Sequence, residues 1–454
     1  MSDERRASRR EFMMAGGGAL AAATVAPRAS LGASSRAPAT GRRRLALVGT
    51  GIRGVTLYGR TLARDYADAV EHVGLCDINP GRVDYARQYI GVECPTFTDF
   101  DRMLREVKPE IVVVTTKDST HHEFIVAGLE AGCDVVTEKP LTTDEERCQA
   151  ILDADAASDR RLAVAHNYRY TPHRLRMKQL LMESRIGRLT SVDFHWYLDV
   201  YHGADYFRRW HGKQASSGTL FVHKASHHFD LLNWWVESEP EEVFGGGALE
   251  YYGHNHPFRH GKCRGCPHRG ECRHYWDITA EELLTKLYVE NEHHDGYLRD
   301  GCVWSDEIDI YDKMSAQIRY ANGVQVSYSC TTYSPYEGYR IAFNGTRGRL
   351  EAWIQERQPW PRESYDELRV TDSFGETELI RIPHGEGGHG GGDPILLDRL
   401  FRDPDAPDPY RQAADARQGA MAVLIGVAAR KSVESGRPVP IASLTSLKPR
   451  DVRP

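Results

Sequence analysis

A glycine-rich turn between a short apolar strand and a helix constrains the fold of this chain more than any other feature. Residues 44–48 are apolar and predict a strand, the sequence GTGIRG follows at once, and residues 55–66 have a helical pattern. In this setting the first glycine permits a tight turn, the second lets a pyrophosphate approach the backbone, and the third lets helix and strand pack closely. The helix N-terminus then faces the anion with free N–H groups. The predicted cofactor contacts here are Gly49, Gly51, Ile52, Arg53 and Gly54.

An acidic residue ends the next predicted strand. Residues 70–76 are apolar and Asp77 follows, close to the spacing of about 20 residues at which such an acid contacts the ribose hydroxyls of a dinucleotide. A carboxylate there repels a 2′-phosphate, so the sequence predicts NAD. NADP remains the less favoured alternative, since the nearby Arg82 could bind a 2′-phosphate. The other interpretation is that Asp77 only caps the turn before Pro80.

Further alternation of strands and helices predicts a doubly wound parallel sheet over residues 42–165. Residues 111–116 and 134–137 are apolar strands, and the second of them ends in Glu138-Lys139-Pro140. Because the carboxyl ends of parallel strands line the ligand crevice, we expect Lys139 to point toward the nicotinamide. A lysine in that place can stabilise the alkoxide that develops as hydride leaves a hydroxyl. The alternative is an ordinary surface lysine beside a proline.

The second predicted domain, residues 166–454, carries a dense set of ionisable groups on one helix. In the predicted helix 220–236, His223, His227 and Asp230 are at i, i+4 and i+7 and share one face, with Lys224 and His228 on a neighbouring face. A histidine titrates near neutral pH, so His227 is suited to take a hydroxyl proton. The alternative for His223 and His228 is a structural role.

The remainder of this domain reads as a sheet closed by a helix. Residues 314–320 and 324–331 alternate as strands around the hairpin signal Asn322-Gly323. Residues 339–343 and 349–354 continue the pattern, and residues 417–436 predict an amphipathic closing helix.

These motifs, in this order and spacing, resemble the Gfo/Idh/MocA family of glucose–fructose oxidoreductase and inositol dehydrogenase. The resemblance implies an α/β fold, with a Rossmann domain followed by an α+β domain that has a large open antiparallel sheet, one face of which commonly forms an oligomer contact. It implies that Lys139 is catalytic or anchors the substrate, that Glu138 orients it, and that Thr116 and His121 line the cofactor site. His227 and Asp230 match the family's acid–base helix, whereas His223 stands where an aspartate is common. Further substrate contacts suggested near this site are Tyr168, Arg169, Trp210, His211, Lys224 and His228.

The resemblance also implies a function. We expect an NAD(P)-dependent oxidoreductase that transfers hydride between a tightly bound nicotinamide and a carbohydrate or polyol hydroxyl. The alternative is a redox-neutral glycosidase, lyase or epimerase that uses NAD for transient oxidation and elimination. A third possibility is a protein that binds a cofactor or a sugar without catalysis. We expect a homo-oligomer.

A polar insertion at about residues 255–305 contains the cysteines that do not fit an apolar core. Cys263, Cys266 and Cys272 form a C-x2-C-x5-C run, and Cys302 could be a fourth ligand. This spacing is typical of a structural zinc site. An iron–sulfur cluster, disulfides and free thiols are the alternatives.

The first 41 residues read as an export leader. Arg9 and Arg10 lie in a twin-arginine-like sequence, and a weakly apolar stretch rich in small residues follows at residues 13–25. We therefore expect export in the folded state and a periplasmic or other extracytoplasmic location; the alternative is an unstructured tail or a misassigned start. Net charge is −6, which does not indicate nucleic-acid binding, and no later apolar run is long enough to span a membrane.

Overall fold

A computed structural model describes residues 41–452, so the predicted leader lies outside the described residues except for its last position. Two sheets organise this part of the chain. No helix within residues 41–452 is both long and apolar enough to cross a membrane.

The first sheet is six-stranded and parallel throughout, in the order β3-β2-β1-β4-β5-β6. Its strands are β1 (Arg43–Val48), β2 (Val70–Cys76), β3 (Thr96–Phe97), β4 (Ile111–Val114), β5 (Asp134–Thr137) and β6 (Leu162–Val164). All four residues of β4 are buried, because helices cover both faces of a parallel sheet. The strand order reverses direction between β1 and β4, which is where such sheets bind ligands. The predicted doubly wound sheet is confirmed.

The second sheet has nine strands in the order β14-β13-β12-β11-β7-β10-β9-β8-β15. The strands are β7 (Leu189–Asp199), β8 (Pro240–Ala248), β9 (Lys313–Tyr320), β10 (Gln325–Ser334), β11 (Glu337–Gly345), β12 (Gly348–Arg357), β13 (Tyr365–Asp372), β14 (Thr377–Pro383) and β15 (Val439–Pro440). The sheet is large and open, as expected, but it is mixed and not wholly antiparallel. β7 pairs in parallel with β10, because the chain leaves β7 through helices before it returns.

Helices cover both sheets. They are α1 (Leu62–Asp65), α2 (Pro80–Ile90), α3 (Phe100–Val107), α4 (His121–Glu130), α5 (Glu145–Ala157), α6 (Pro172–Met182), α7 (Val200–Arg208), α8 (Gln214–Ser217), α9 (Leu220–His223), α10 (Ala225–Val236), α11 (Glu282–Leu284), α12 (Glu292–Asp295), α13 (Gly392–Leu397) and α14 (Ala416–Ser435). The turns Gly54–Thr61, Thr285–Val289 and Asp398–Arg402 are π-helical. The 3₁₀ turns are Asp118–Thr120, Asn167–Tyr170, Trp210–Gly212, Gly253–Asn255, Ile278–Ala280 and Ile441–Ser443.

The closing helix α14 is largely buried and contains many small residues. Its glycines and alanines let three neighbours approach closely. A Cβ on Gly419 would lie 2.8 Å from Val164 of β6, and one on Gly426 would lie 2.4 Å from the carbonyl oxygen of Phe221 in α9. A Cβ on Gly245 of β8 would lie 2.4 Å from the carbonyl oxygen of Ala429. This helix therefore packs against elements of both sheets.

Candidate active site

The glycine turn has the geometry that the sequence predicts. Gly49 has φ +89°, and a Cβ there would lie 2.6 Å from the carbonyl carbon of Thr115. A Cβ on Gly54 would lie 2.2 Å from the carbonyl oxygen of Gly49. A side chain on Gly51 would meet only the Tyr288 hydroxyl, at 3.3 Å. The first and third positions thus need glycine for packing, while the second leaves backbone accessible, which fits the cradle of a pyrophosphate.

Asp77 lies at the carboxyl end of β2, beside the glycine turn. One carboxylate oxygen accepts from the Thr50 amide at 2.7 Å and from the Thr50 hydroxyl at 3.0 Å. The other accepts from the Asn79 amide at 3.0 Å and from Arg82 at 3.2 Å. Asp77 therefore fixes the turn as well as standing in the place of a ribose-binding acid, so the two interpretations from the sequence are not exclusive.

Lys139 reaches from the end of β5 to the second half of the chain. Its Nζ donates to the carbonyl oxygen of His223 in α9 at 3.2 Å. Burial lowers the pKa of Lys139 to about 8, while the nearby carboxylates of Asp118 and Glu138 oppose that shift. A lysine with such a pKa can exchange a proton with a hydroxyl near neutral pH.

Glu138 does not orient the Lys139 ammonium in the way that the family resemblance implies. Its carboxylate accepts from Nε of Arg53 at 2.7 Å and from the Tyr58 hydroxyl at 3.1 Å. Arg53 also forms two hydrogen bonds with Asp393, both at 3.1 Å. Glu138 contacts the lysine only through the Lys139 amide, at 3.2 Å. The carboxylate is held by Arg53, so it ties the glycine turn to the end of β5.

Thr116 and His121 lie beside this strand end, and their role in lining the cofactor site stays a prediction. The Thr116 hydroxyl accepts from Thr120 at 2.9 Å. The His121 ring lies between two carbonyl oxygens, 2.8 Å from that of Pro140 and 3.2 Å from that of Thr116. The buried ring thereby holds the loop after β4 against the Lys139-Pro140 segment.

His223 pairs with an acid that the sequence analysis did not select. Its Nδ1 lies 2.5 Å from the Asp118 carboxylate, and both side chains are buried. Burial raises the pKa of Asp118 and lowers the pKa of His223 well below its usual value. The two groups therefore share one proton beside Lys139. Asp118 is in the segment between β4 and α4. The sequence feature that could have identified it is its position just after the carboxyl end of a parallel strand.

His227 lies on α10, near enough to Lys139 for the charges of the two side chains to interact. Its ring stacks on Tyr168 at 4.0 Å and meets His166 edge-on at 6.2 Å. Nδ1 of His227 is buried and has no hydrogen-bond partner among the described residues. Burial lowers the pKa of His227 well below 6.5, so the ring is neutral at pH 7. A neutral imidazole with an unpaired nitrogen can accept a substrate proton.

Asp230 does not pair with His227, contrary to the prediction of a shared catalytic face. Its carboxylate forms two hydrogen bonds with Arg169, and it lies 3.6 Å from His166. Arg169 is fully buried and also donates to backbone carbonyls near the start of α14. Lys224, between α9 and α10, keeps helical backbone angles (φ −85°, ψ −46°), so the chain continues as a helix past it. Asp230 and Arg169 form a buried structural ion pair, and the prediction that they act on substrate is not supported by this geometry.

The remaining predicted contacts divide into two groups. Trp210 and His211 stack at 3.6 Å, and His211 lies 4.1 Å from the His223 ring, so both border the pocket. The Lys224 ammonium donates to the Tyr168 hydroxyl at 3.1 Å. His228 instead stacks on Trp196 at 4.0 Å inside the core and bonds the Tyr328 hydroxyl. The structural alternative for His228 therefore fits better than substrate binding.

A glycine-rich loop brings a histidine to this pocket that sequence reasoning missed. His389 lies 6.0 Å from the Tyr168 ring and 6.5 Å from the His227 ring. Its Nδ1 is 2.9 Å from Asp393, which Asn167 and Arg53 also contact. The signal was the run of glycines on both sides of one histidine at residues 385–392. Glycines let such a loop adopt positive φ values that other residues disfavour, and His389 itself has φ +49°.

The four cysteines of the insertion line one narrow pocket, with Arg208 and His274 among the other lining residues. Each is a free thiol, and Cys263 accepts from Arg208 at 3.3 Å. Within residues 41–452 no three histidine, cysteine or acidic side chains form a group that could hold a metal ion. The prediction of a structural zinc on Cys263, Cys266, Cys272 and Cys302 is therefore not supported.

Comparison with known proteins identifies the family of this chain. The model of the oxidoreductase family NAD-binding Rossmann fold matches residues 43–166, and that of the family's C-terminal alpha/beta domain matches residues 178–441. The chain belongs to the Gfo/Idh/MocA family. It is an oxidoreductase of that family, with a Rossmann domain that binds a nicotinamide cofactor.

Relatives of this family member include a full-length match and several partial ones. "Putative oxidoreductase YteT" of Bacillus subtilis (strain 168) is 35% identical over 438 residues, which is 89% of this chain and 99% of that protein. The inositol 2-dehydrogenase/D-chiro-inositol 3-dehydrogenase of Lactiplantibacillus plantarum is 27% identical over 171 residues, or 37% of this chain and 46% of that enzyme.

Solved structures share the fold at low identity. A levoglucosan dehydrogenase in complex with NADH and L-sorbose has a TM-score of 0.64 at 18% identity, covering 88% of this chain and 99% of that one. The myo-inositol 2-dehydrogenase of Lactobacillus plantarum has a TM-score of 0.61 at 17% identity, with the same coverage.

Proposed function

We propose that this family member transfers hydride between a tightly bound NAD and a hydroxyl of a carbohydrate or polyol. One observation carries the proposal: Lys139, at the carboxyl end of β5, contacts α9, where His223 begins the histidine-bearing region of the second domain. The dinucleotide cradle and the proton-transfer groups thus meet at one place. The relatives named for inositol and levoglucosan oxidation favour a polyhydroxyl substrate.

The residues present fit a nicotinamide dinucleotide. The glycine turn would hold the pyrophosphate, Asp77 stands at the ribose position, and Thr116 lies near the nicotinamide end. When bound, the cofactor supplies a hydride acceptor or donor at C4 of its ring. Within residues 41–452, ring nitrogens of His166 and His227 are buried and have no hydrogen-bond partner, which indicates a polar ligand beside them.

The side chains divide the proton chemistry. The Lys139 ammonium donates to the substrate oxygen and stabilises the negative charge that develops there. Neutral His227 accepts the hydroxyl proton. The His223–Asp118 pair lies next to Lys139 and holds one proton that the lysine can exchange. Trp210 and His211 border the space where the substrate ring packs.

The test is to denature the purified mature protein and identify any released nucleotide by mass. The protein is then supplied with inositols, aldoses and anhydrosugars, and reduced nicotinamide is followed by absorbance. Stoichiometric NAD together with reduction by a polyol supports the proposal. A protein that contains no nucleotide and does not bind added NAD contradicts it.

One observation favours a second candidate, a redox-neutral glycosidase or lyase. His389, with its carboxylate partner Asp393, is an additional acid–base group 6.5 Å from His227, as protonation of a leaving group requires. Such an enzyme turns over glycosides without an electron acceptor and without net change in NADH. In that case His389→Gln should abolish glycoside cleavage but leave oxidation of a free sugar by a single turnover intact.

We also propose that the chain is exported by the twin-arginine route, on the basis of Arg9 and Arg10 within the leader. A cofactor retained from the cytoplasm suits such export, because no nicotinamide pool is available outside. Replacing both arginines with lysine should leave the protein in the cytoplasm, as measured by cell fractionation. Equal export of this double variant contradicts the route.

A further inference from the structure

The cysteine-rich insertion contacts the dinucleotide turn, although the two are far apart in sequence. The segment 282–295, comprising α11, the π turn after it and α12, packs against α2 and the turn that follows β1. The segment lies within residues 178–441, which the model of the family's C-terminal domain matches.

Tyr288 lies on the phosphate side of the turn. Its hydroxyl accepts from the Ile52 amide at 2.8 Å, across 236 positions of sequence. The side chain is almost fully buried, and a Cβ on Gly51 would lie 3.3 Å from its oxygen. A hydroxyl that accepts from an amide still has its own proton to donate. The Tyr288 hydroxyl can therefore accept from the helix N-terminus and at the same time donate to a phosphate oxygen.

Asp295 acts at the ribose end of the same groove. Arg82 is buried between two carboxylates, 3.2 Å from Asp77 and 2.8 Å from Asp295. Its Nε also donates to the carbonyl oxygen of Leu287 at 3.4 Å. Arg82 is the cation nearest to the ribose acid in sequence, and an arginine in such a place accommodates a 2′-phosphate. Because Arg82 is paired with both carboxylates, its guanidinium is not free to bind a 2′-phosphate.

The segment is fixed near its C-terminal end by two sets of contacts. Asn79 donates to the carbonyl oxygen of Asn291 at 2.8 Å, which joins it to the loop after β2. Glu292 forms ion pairs with Lys262 and Arg264 in the cysteine-rich part, and Arg264 also pairs with Asp300. The cysteine-rich part thus anchors the segment beside the groove.

We propose that residues 282–295 are a cofactor clasp. Tyr288 closes the phosphate end of the groove, and Asp295 selects NAD over NADP by holding Arg82. NAD leaves only when the clasp separates from the turn, so it is retained during turnover. This inference rests on the NAD binding of the proposed function.

The first test measures nucleotide exchange in the full-length purified enzyme. The holoenzyme is mixed with excess isotopically labelled NAD, and the bound nucleotide is identified by mass after denaturation at successive times. Tyr288→Phe keeps the ring and removes the hydroxyl, so release should be about tenfold faster, the effect of one hydrogen bond to a charged group. The matched control is Glu290→Gln, on the same segment, where Glu290 pairs only with exposed Lys286, and it should exchange like the wild type.

The second test measures cofactor choice. Asp295→Asn removes one of the two charges on Arg82, so the ratio of NADP affinity to NAD affinity should rise about tenfold, as for a freed charge-assisted contact. Unchanged exchange in Tyr288→Phe and an unchanged ratio in Asp295→Asn overturn the clasp. Slower release from Tyr288→Phe would show that the segment competes with NAD, which also overturns it. A wild-type protein that binds no NAD contradicts the proposed function itself, and that result is distinct from both.

Discussion

At the scale of single residues, burial decides what each ionisable group can do. Lys139 and His227 have both lost solvent, and the loss favours the neutral form of each. Asp230 is buried too, but its charge is balanced by Arg169. The first two can therefore exchange protons with a substrate, whereas Asp230 is committed to one partner. From the sequence alone, all three residues were predicted to be catalytic.

Lys139 should give the enzyme an alkaline limb in its pH profile. Its pKa is lowered to about 8 by burial, so it is protonated below that pH and loses its proton as pH rises through it. Since the charged form stabilises the alkoxide, kcat/KM for hydroxyl oxidation should fall above about pH 8. Lys139→Arg should shift that limb beyond pH 10, because an arginine keeps its proton up to about pH 12. Lys139→Met should lower kcat about 100-fold or more. A rate that rises through pH 8 in the wild type would instead make Lys139 the proton acceptor.

Asp230 should matter for stability more than for chemistry. Asp230→Asn leaves the Arg169 charge buried without its counter-ion, which costs about 3–5 kcal/mol of folding free energy. Calorimetry should show a lower Tm for this variant, while kcat per folded molecule stays close to that of the wild type. His227→Gln is the matched comparison and should show the reverse, a nearly unchanged Tm with a large loss of kcat. A catalytic loss in Asp230→Asn without a change in Tm would restore the predicted shared face.

At the scale of elements, the glycine turn was predictable because its residues are dictated by local backbone geometry. The strands around Asn322-Gly323 were predictable for the same reason. The parallel pairing of β7 with β10 was not, since it depends on the path of the chain between them. The approach of His389 to His227, and of Tyr288 to Ile52, also depends on tertiary packing that no local pattern encodes.

Gly49→Ala should abolish dinucleotide binding. Its Cβ would need to occupy space 2.6 Å from Thr115, in addition to the strain of a positive φ. Gly91→Ala is the control, since Gly91 has φ +80° at the end of α2 but nothing within 4 Å of its Cβ. Both variants carry the backbone strain, of about 1 kcal/mol, and only Gly49→Ala carries the clash. Nucleotide content after purification should therefore fall in Gly49→Ala alone. Equal loss in both variants would mean that strain, and not close packing, limits this turn.

At the scale of the whole molecule, the outer face of the second sheet is open to solvent. Trp353 and Trp360 are 40% and 39% exposed there, beside Tyr336. A cluster of exposed aromatic rings on a flat sheet is typical of a protein contact. We infer that a second copy of this chain covers this face, in keeping with the expected homo-oligomer.

Trp353→Lys should weaken that contact by placing a charge inside it. Light scattering with size exclusion should then show a smaller particle than the wild type at the same concentration. Ile78→Lys is the control, because Ile78 is equally apolar and 70% exposed but follows β2 in the first domain. A wild-type monomer, or a particle size unaffected by Trp353→Lys, contradicts this interface.

The close contacts of α14 have a consequence for how the molecule moves. One helix touches β6 of the first sheet, helix α9 and β8 of the second sheet. At Gly426 and Gly245 backbone meets backbone directly, and at Gly419 the Val164 side chain packs on the helix backbone. A hinge between the two halves would have to pull that helix away from one of them. Opening of the site is therefore expected in segments that do not pack on α14, such as the glycine-rich loop that bears His389.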